Sequence, residues 1–415
     1  MKLLLKVANL LRTSRPLDGL FRFIDTSSNG EHPMLTNTAF HLPLAFLAAM
    51  AIFAAQANLN PPNAYAEESG AKSVWFGTTG NNAGAEAGIY HSSIENGKLT
   101  KAELAIPLRG AGWITKHPTI NDVIYATASL DKSSVVAIRD GKLISTQEVQ
   151  GGSCFLTTDH TGTLLLSAHY GDGSVSVIPI NADGSLGDEV QRIQHQGGSK
   201  VVPGRQKSPH PHYVSVSPDN RFAFVPDLGL DQLVKYRLDL EAKKLSPAGT
   251  VDVEPGGGPR HMKFHPGGKY AFVVNEMTLA LTVFGYDGEN GTMTKLATVP
   301  TLTEEEKNQN KFNSGSEIRV SQSGDFVYSA NRGHDSISVF SFDANTGTLK
   351  RIQIAPARAA WPRNFNLSPC GGYLMAAGRD TNNISLFSIG ADGKLTHLEH
   401  KSIFVPGPIC VLIDE

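Results

Sequence analysis

The chain reads as an all-β protein, a seven-bladed β-propeller in which the C-terminal strand completes the first blade. Three observations predict it. One phrase recurs about every 50 residues, each copy is followed by further short alternating runs, and the two chain ends supply complementary parts of one repeat. The clear copies run from His210-Pro211-His212 to Phe222, from Pro259-Arg260-His261 to Tyr270, from Ser316-Glu317 to Phe326 and from Pro362-Arg363 to Tyr373.

In chain order, residues 1–70 stand apart from this pattern. Leu42 to Ala57 is mostly apolar, of leader length and too short to span a bilayer comfortably. Lys2, Lys6, Arg12, Arg15 and Arg22 precede it, and Ala55-Gln56-Ala57 or Ala64-Tyr65-Ala66 follows as a small-x-small cleavage site. The expectation is a secretory leader, with Met34 a possible true start, and a periplasmic or secreted protein. The alternatives are an unfolded or membrane-tethering extension and a cytoplasmic protein.

The propeller is expected over 71–415. Val74–Gly77, Gly88–Tyr90 and Ala102–Ala105 resemble the last three strands of a blade and lack the first. Weaker copies of the turn follow at His117-Pro118 and Asp159-His160-Thr161-Gly162, then come the four clear copies. Within each, an alternating run enters a Pro/Gly/Asp turn and a second run such as Tyr270–Val274 leaves it, as a hairpin requires. Two more runs follow, for example Leu281–Phe284 and Lys295–Val299, giving four antiparallel strands. Gly407–Ile413 reads in register with Gly258–Phe264, so it supplies the inner strand that the first blade lacks and removes a free edge.

Composition excludes several functions. Lys and Arg total 37 against 39 Asp and Glu, with no basic run, which argues against a nucleic-acid partner. Three cysteines, Cys154, Cys370 and Cys410, cannot all pair and show no metal or redox spacing, so neither a metal nor a cofactor is expected. No stable membrane insertion is expected of the propeller, which should act as a monomer.

In a blade the first two strands are antiparallel, so the start of the first and the end of the second share one edge. The starting positions are Cys154, His212, Arg260, Ser316 and Arg363; the final ones are Tyr170, Leu228, Glu276, Arg332 and Arg379, with His169, Asp227, Asn275 and Asn331 one step earlier. A structural position would repeat apolar residues. This ring is polar and should surround one opening, as an anion site would. Arg260, Arg332 and Arg363 offer forked donors, and Asp227 joins them as a substrate-binding candidate. His212 and Glu276 are the general acid/base candidates. Glu317 lies one step out of register and should point away. Salt bridging across the channel is the bland alternative for the charged residues, and no Gly-x-Ser-x-Gly elbow supports covalent catalysis.

At these residues the chain resembles the seven-bladed propeller lactonases, which include bacterial 6-phosphogluconolactonase and fungal 3-carboxy-cis,cis-muconate lactonizing enzyme. The resemblance rests on Arg205-Gln206 leading to His210-Pro211-His212, on Phe224–Asp231, Gly258–His261, Val274-Asn275-Glu276 and Ser329–Ser336, and it covers about residues 72 to 413. It implies that His212, Arg260, Glu276 and Arg332 form the site, and that a small anionic lactone is hydrolysed without an obligatory metal. A lactonizing cycloisomerase using the same pocket and a non-enzymatic binding module are the alternatives. This chain departs from the family at His169, where Asn is usual, and in the apolar stretch Met277–Leu281.

Overall fold

The repeated phrase becomes a hairpin because its own side chains close the turn. Ser217, Ser321 and Ser368 each accept, through Oγ, the amide five residues on: Phe222 at 2.9 Å, Phe326 at 3.1 Å and Tyr373 at 3.0 Å. Asp159 does the same for Leu164 at 2.8 Å, which is why the weaker copy still folds. Gly268, Gly324 and Gly371 take the positive φ that these turns need.

The computed structural model describes residues 71–80, 86–309 and 312–414; the leader expected over 1–70 lies outside them. These residues form seven antiparallel sheets, each of four or five strands. In the first, Pro408–Ile413 pairs with Lys72–Thr78, placing Val74 opposite Ile413 and Phe76 opposite Val411. The two ends of the propeller are therefore joined in one sheet, and Gly88–Glu95 and Glu103–Pro107 continue it outward. The second to seventh blades begin at Ile114, Phe155, Ser215, Pro259, Ser314 and Pro362. A four-residue helix, Glu304–Lys307, interrupts the link before the sixth blade.

Neighbouring blades bury aromatic and aliphatic faces against each other. Phe222, Phe224, Phe272, Phe284, Phe340 and Phe387 are almost wholly buried, each stabilising the stack by about 1.5–3 kcal/mol through burial. One cluster runs continuously from Leu164 and Val177 through Phe224 to Met262 and Phe284, across three blades.

The fourth blade is the irregular one. Its inner strand is reduced to Ser215–Val216 because the chain from His195 to Val214 runs as a loop first. Gln206, fully buried, pins that loop by donating to Leu228 O at 2.9 Å and Asp231 Oδ1 at 2.6 Å. Val202 N donates to its Oε1 at 2.9 Å.

Candidate active site

The starting positions project inward because the inner strands bulge there. Pairing skips a residue between Pro259 and His261, between Pro362 and Asn364, and between Cys410 and Pro408. Arg260, Arg363 and Ile409 occupy those bulges, and a bulge re-aims its extra side chain. In the fourth blade the backbone is looser still: His212 N donates to Pro226 O at 3.1 Å from outside any strand. Cys154, His212, Arg260, His261, Arg363, Ile409 and Trp113 then line one cavity of about 200 Å³.

Glu276 organises the arginines beside it. Its Oε2 lies 3.0 Å from Arg260 Nε and 2.9 Å from Arg332 Nη2, and its Oε1 accepts from Arg205 Nη2 at 2.7 Å. Burial alone would raise the Glu276 carboxyl, but Arg332, Arg260 and Arg205 outweigh it and bring it to about 2. It is a carboxylate throughout the physiological range, too weakly basic to take a proton from water. Arg332 also donates to Gly315 O at 2.7 Å and lies over the Trp361 ring, while its buried Nε is unpartnered. Arg260, 2% exposed, reaches Ser316 O and His261 Nε2 through Nη1, and burial, then Arg332 and Arg363, pull it down to about 9. Arg363 has no hydrogen-bond or ion-pair partner among the described residues.

His212 has the opposite character. Burial, then the charges of Arg260, His261 and Arg363, hold it well below the ordinary histidine value, so it is neutral at pH 7. Its buried Nδ1 has no partner, and the ring meets Tyr170 and His261 edge-on at 5.5 and 5.2 Å. A neutral imidazole with a spare nitrogen beside free guanidinium donors can accept a proton while an anion is held next to it.

Of the residues singled out in the sequence, His212, Arg260 and Arg363 share the cavity wall, and Glu276 and Arg332 join them through ion pairs. Asp227 does not belong there. Its Oδ2 is 2.7 Å from His195 Nδ1, and its Oδ1 accepts the amides of His210, Gly229 and Leu230. With both oxygens occupied and no exposure, it braces the loop that carries His212 and presents no free oxygen to the cavity. Arg379 is half-buried, paired with Asp380 at 2.7 Å and set over the Trp361 ring. Glu317 is buried away from the cavity wall. Cys154 does line it, but burial pushes its thiol up to about 11, which rules out a thiolate nucleophile at neutral pH.

Arg205 was missed as a site residue. Its side chain is one-third exposed, yet it completes the clamp on Glu276 from 71 residues away. The only sequence signal was its place in the stretch leading to His212. Among the described residues, no group of three His, Cys, Asp or Glu side chains is arranged to hold a metal.

Residues 73–413 match the family described as lactonase, 7-bladed beta-propeller. The 6-phosphogluconolactonase of Bacillus subtilis is 33% identical over 339 residues, covering 79% of this chain and 95% of that protein. Among solved structures, a putative 6-phosphogluconolactonase of Bacteroides fragilis superposes with a TM-score of 0.75 at 28% identity, over 84% of this chain and 99% of that one. The periplasmic gluconolactonase of Pseudomonas aeruginosa does so with a TM-score of 0.74 at 27% identity, over 83% and 99%.

Proposed function

The chain belongs to the seven-bladed β-propeller lactonase family, and from that premise we propose that it hydrolyses the ring ester of an acidic sugar lactone, as a carboxylic-ester hydrolase. The observation that carries this reading is the pairing of a neutral, unpartnered His212 with an arginine cluster that one carboxylate only partly neutralises. The relative named 6-phosphogluconolactonase supports an anionic sugar lactone, and the neighbour named gluconolactonase supports sugar-lactone hydrolysis without requiring the acid group.

In this reading the substrate's anionic group rests on Arg363 in the cavity wall, with the buried Arg332 guanidinium adding positive charge behind it. His212 takes a proton from water as the water oxygen bonds to the ring carbonyl carbon. The carbonyl oxygen gains negative charge, which the Arg260 guanidinium stabilises. The tetrahedral intermediate then re-forms its carbonyl, the ring C–O bond breaks, and the leaving oxygen takes the proton back from His212. The product is the open hydroxy acid. Glu276 transfers no proton; it fixes the positions of three arginines. Anion binding at Arg363 removes part of the charge that depresses His212, so the base strengthens when substrate arrives.

Export by the leader expected over 1–70 is part of the proposal, and it directs attention to unphosphorylated acidic lactones as well as phosphorylated ones. The test is hydrolysis of a panel of both kinds, corrected for spontaneous ring opening, with His212→Ala and Glu276→Gln alongside. Turnover lost in both folded variants supports the reading. Rates equal to buffer in wild type refute it, and a muconate assay then tests for a cycloisomerase.

A further inference from the structure

All inner strands run the same way along the central channel, so their ends define a second mouth opposite His212. A separate cavity of about 450 Å³ lies there, lined by Thr115, Thr157, Phe264, Val320, Asn366 and Leu412 among others. Trp113, Phe155, Tyr213 and His261 pack as tilted rings between the two mouths, with successive ring centroids 4.5, 3.9 and 4.7 Å apart, and Trp113 touches both cavities.

Two lining residues of this second mouth are basic, Lys263 and Arg319, and none is acidic. Arg319 donates from Nη1 to Glu317 Oε1 at 2.6 Å and from Nε to Asn366 Oδ1 at 3.0 Å. Its Nη2 has no partner among the described residues. Lys263 Nζ makes no hydrogen bond or ion pair there and sits 5.3 Å from the centroid of the Tyr213 ring. Glu317, the one carboxylate acting on Lys263 among the described residues, is already taken by Arg319, by His261 Nδ1 at 3.2 Å and by Asn364. A half-buried ammonium without a carboxylate loses part of its solvation, which one aromatic face restores only in part.

We propose that this second mouth binds a small organic carboxylate, its charged end held by Lys263 Nζ and Arg319 Nη2 and its apolar body set against Trp113, Phe264 and Leu412. The inference goes beyond lactone cleavage and does not depend on it. Burial, and then Arg319, lower Lys263 to about 7, with Glu317 opposing them. The other titratable groups around it stay neutral: His261 is brought to about 3 by burial and then Arg260, and Tyr213 is raised by burial. A bound carboxylate therefore draws a proton onto Lys263 near neutral pH.

Titration calorimetry of the full chain with benzoate as probe, in two buffers of different ionisation heat, tests this. Binding with uptake of a fraction of a proton is expected at about pH 7.5, fading at about pH 5.5, where Lys263 is already charged. Lys263→Met should weaken binding roughly tenfold or more. Lys263→Arg should bind as wild type without proton uptake, showing that charge rather than fold was removed. Undiminished binding in Lys263→Met, loss in Arg363→Met instead, or no benzoate binding by the wild type would each overturn the proposal.

Discussion

At one mouth of the channel Glu276 faces Arg205, Arg260 and Arg332, with Arg363 unpaired beside them. Toward the other, Glu317 is shared by Arg319, His261 and Asn364, and Lys263 stands apart. Both carboxylates are buried and both are brought to about 2, because cations outweigh the burial that would raise them. They differ in what remains after pairing. Around Glu276 an excess of guanidinium charge is left pointing at a neutral histidine; around Glu317 the pairing is internal and ties three blades together. A buried carboxylate in an arginine cluster is thus not by itself a catalytic sign. What distinguishes the two ends is the kind of remainder: guanidinium charge beside a neutral histidine at one, a lone ammonium at the other.

Removing the proposed proton acceptor should break the contrast most. His212→Ala is expected to lower kcat/KM on a sugar lactone about 10²–10⁴-fold with the thermal transition nearly unchanged; a drop under tenfold would remove His212 from the chemistry. Glu276→Gln should come next, at roughly 10²-fold, because the arginines lose their common anchor.

Glu317→Gln should invert that pattern. Breaking its buried pair should cost about 3–5 kcal/mol of stability in urea unfolding and much less in kcat/KM. If it damaged activity as Glu276→Gln does, the two ends would not be separate. Both carboxylates also set an acid limit. Their folded-state proton affinity lies below the ordinary 4.5, so the stability they give is present above that pH and is lost as pH falls toward about 2. Urea midpoints measured downward from pH 5 should fall accordingly, and more shallowly in Glu317→Gln.

A pH profile sharpens the proposed catalytic end. His212 is depressed, so kcat/KM should hold below pH 6.5, while the acid limb of kcat should lie higher because bound anion offsets Arg260 and Arg363. Coincident limbs would mean that the anion does not sit on those arginines. Arg205→Ala should have the smallest effect, a rise in KM of roughly threefold to tenfold, since its side chain is partly solvated.

Seven blades, the closing strand and the convergence of His212, Arg260, Glu276, Arg332 and Arg363 were legible in the chain, because hairpin turns and strand alternation are local and repeat with the sequence. Their place in the repeat put those residues at one edge of the blades. Asp227 shows where that reasoning ends: position put it beside the site, but the nearby amides of His210, Gly229 and Leu230, with His195, claimed its carboxylate. The bulges that aim Arg260 and Arg363, the Arg205–Glu276 pair, the neutrality of His212 and the unanswered charge of Lys263 were decided only by the tertiary structure. Each depends on which side chains meet across blades, and burial and neighbouring charge set a group's protonation only once those neighbours are in place.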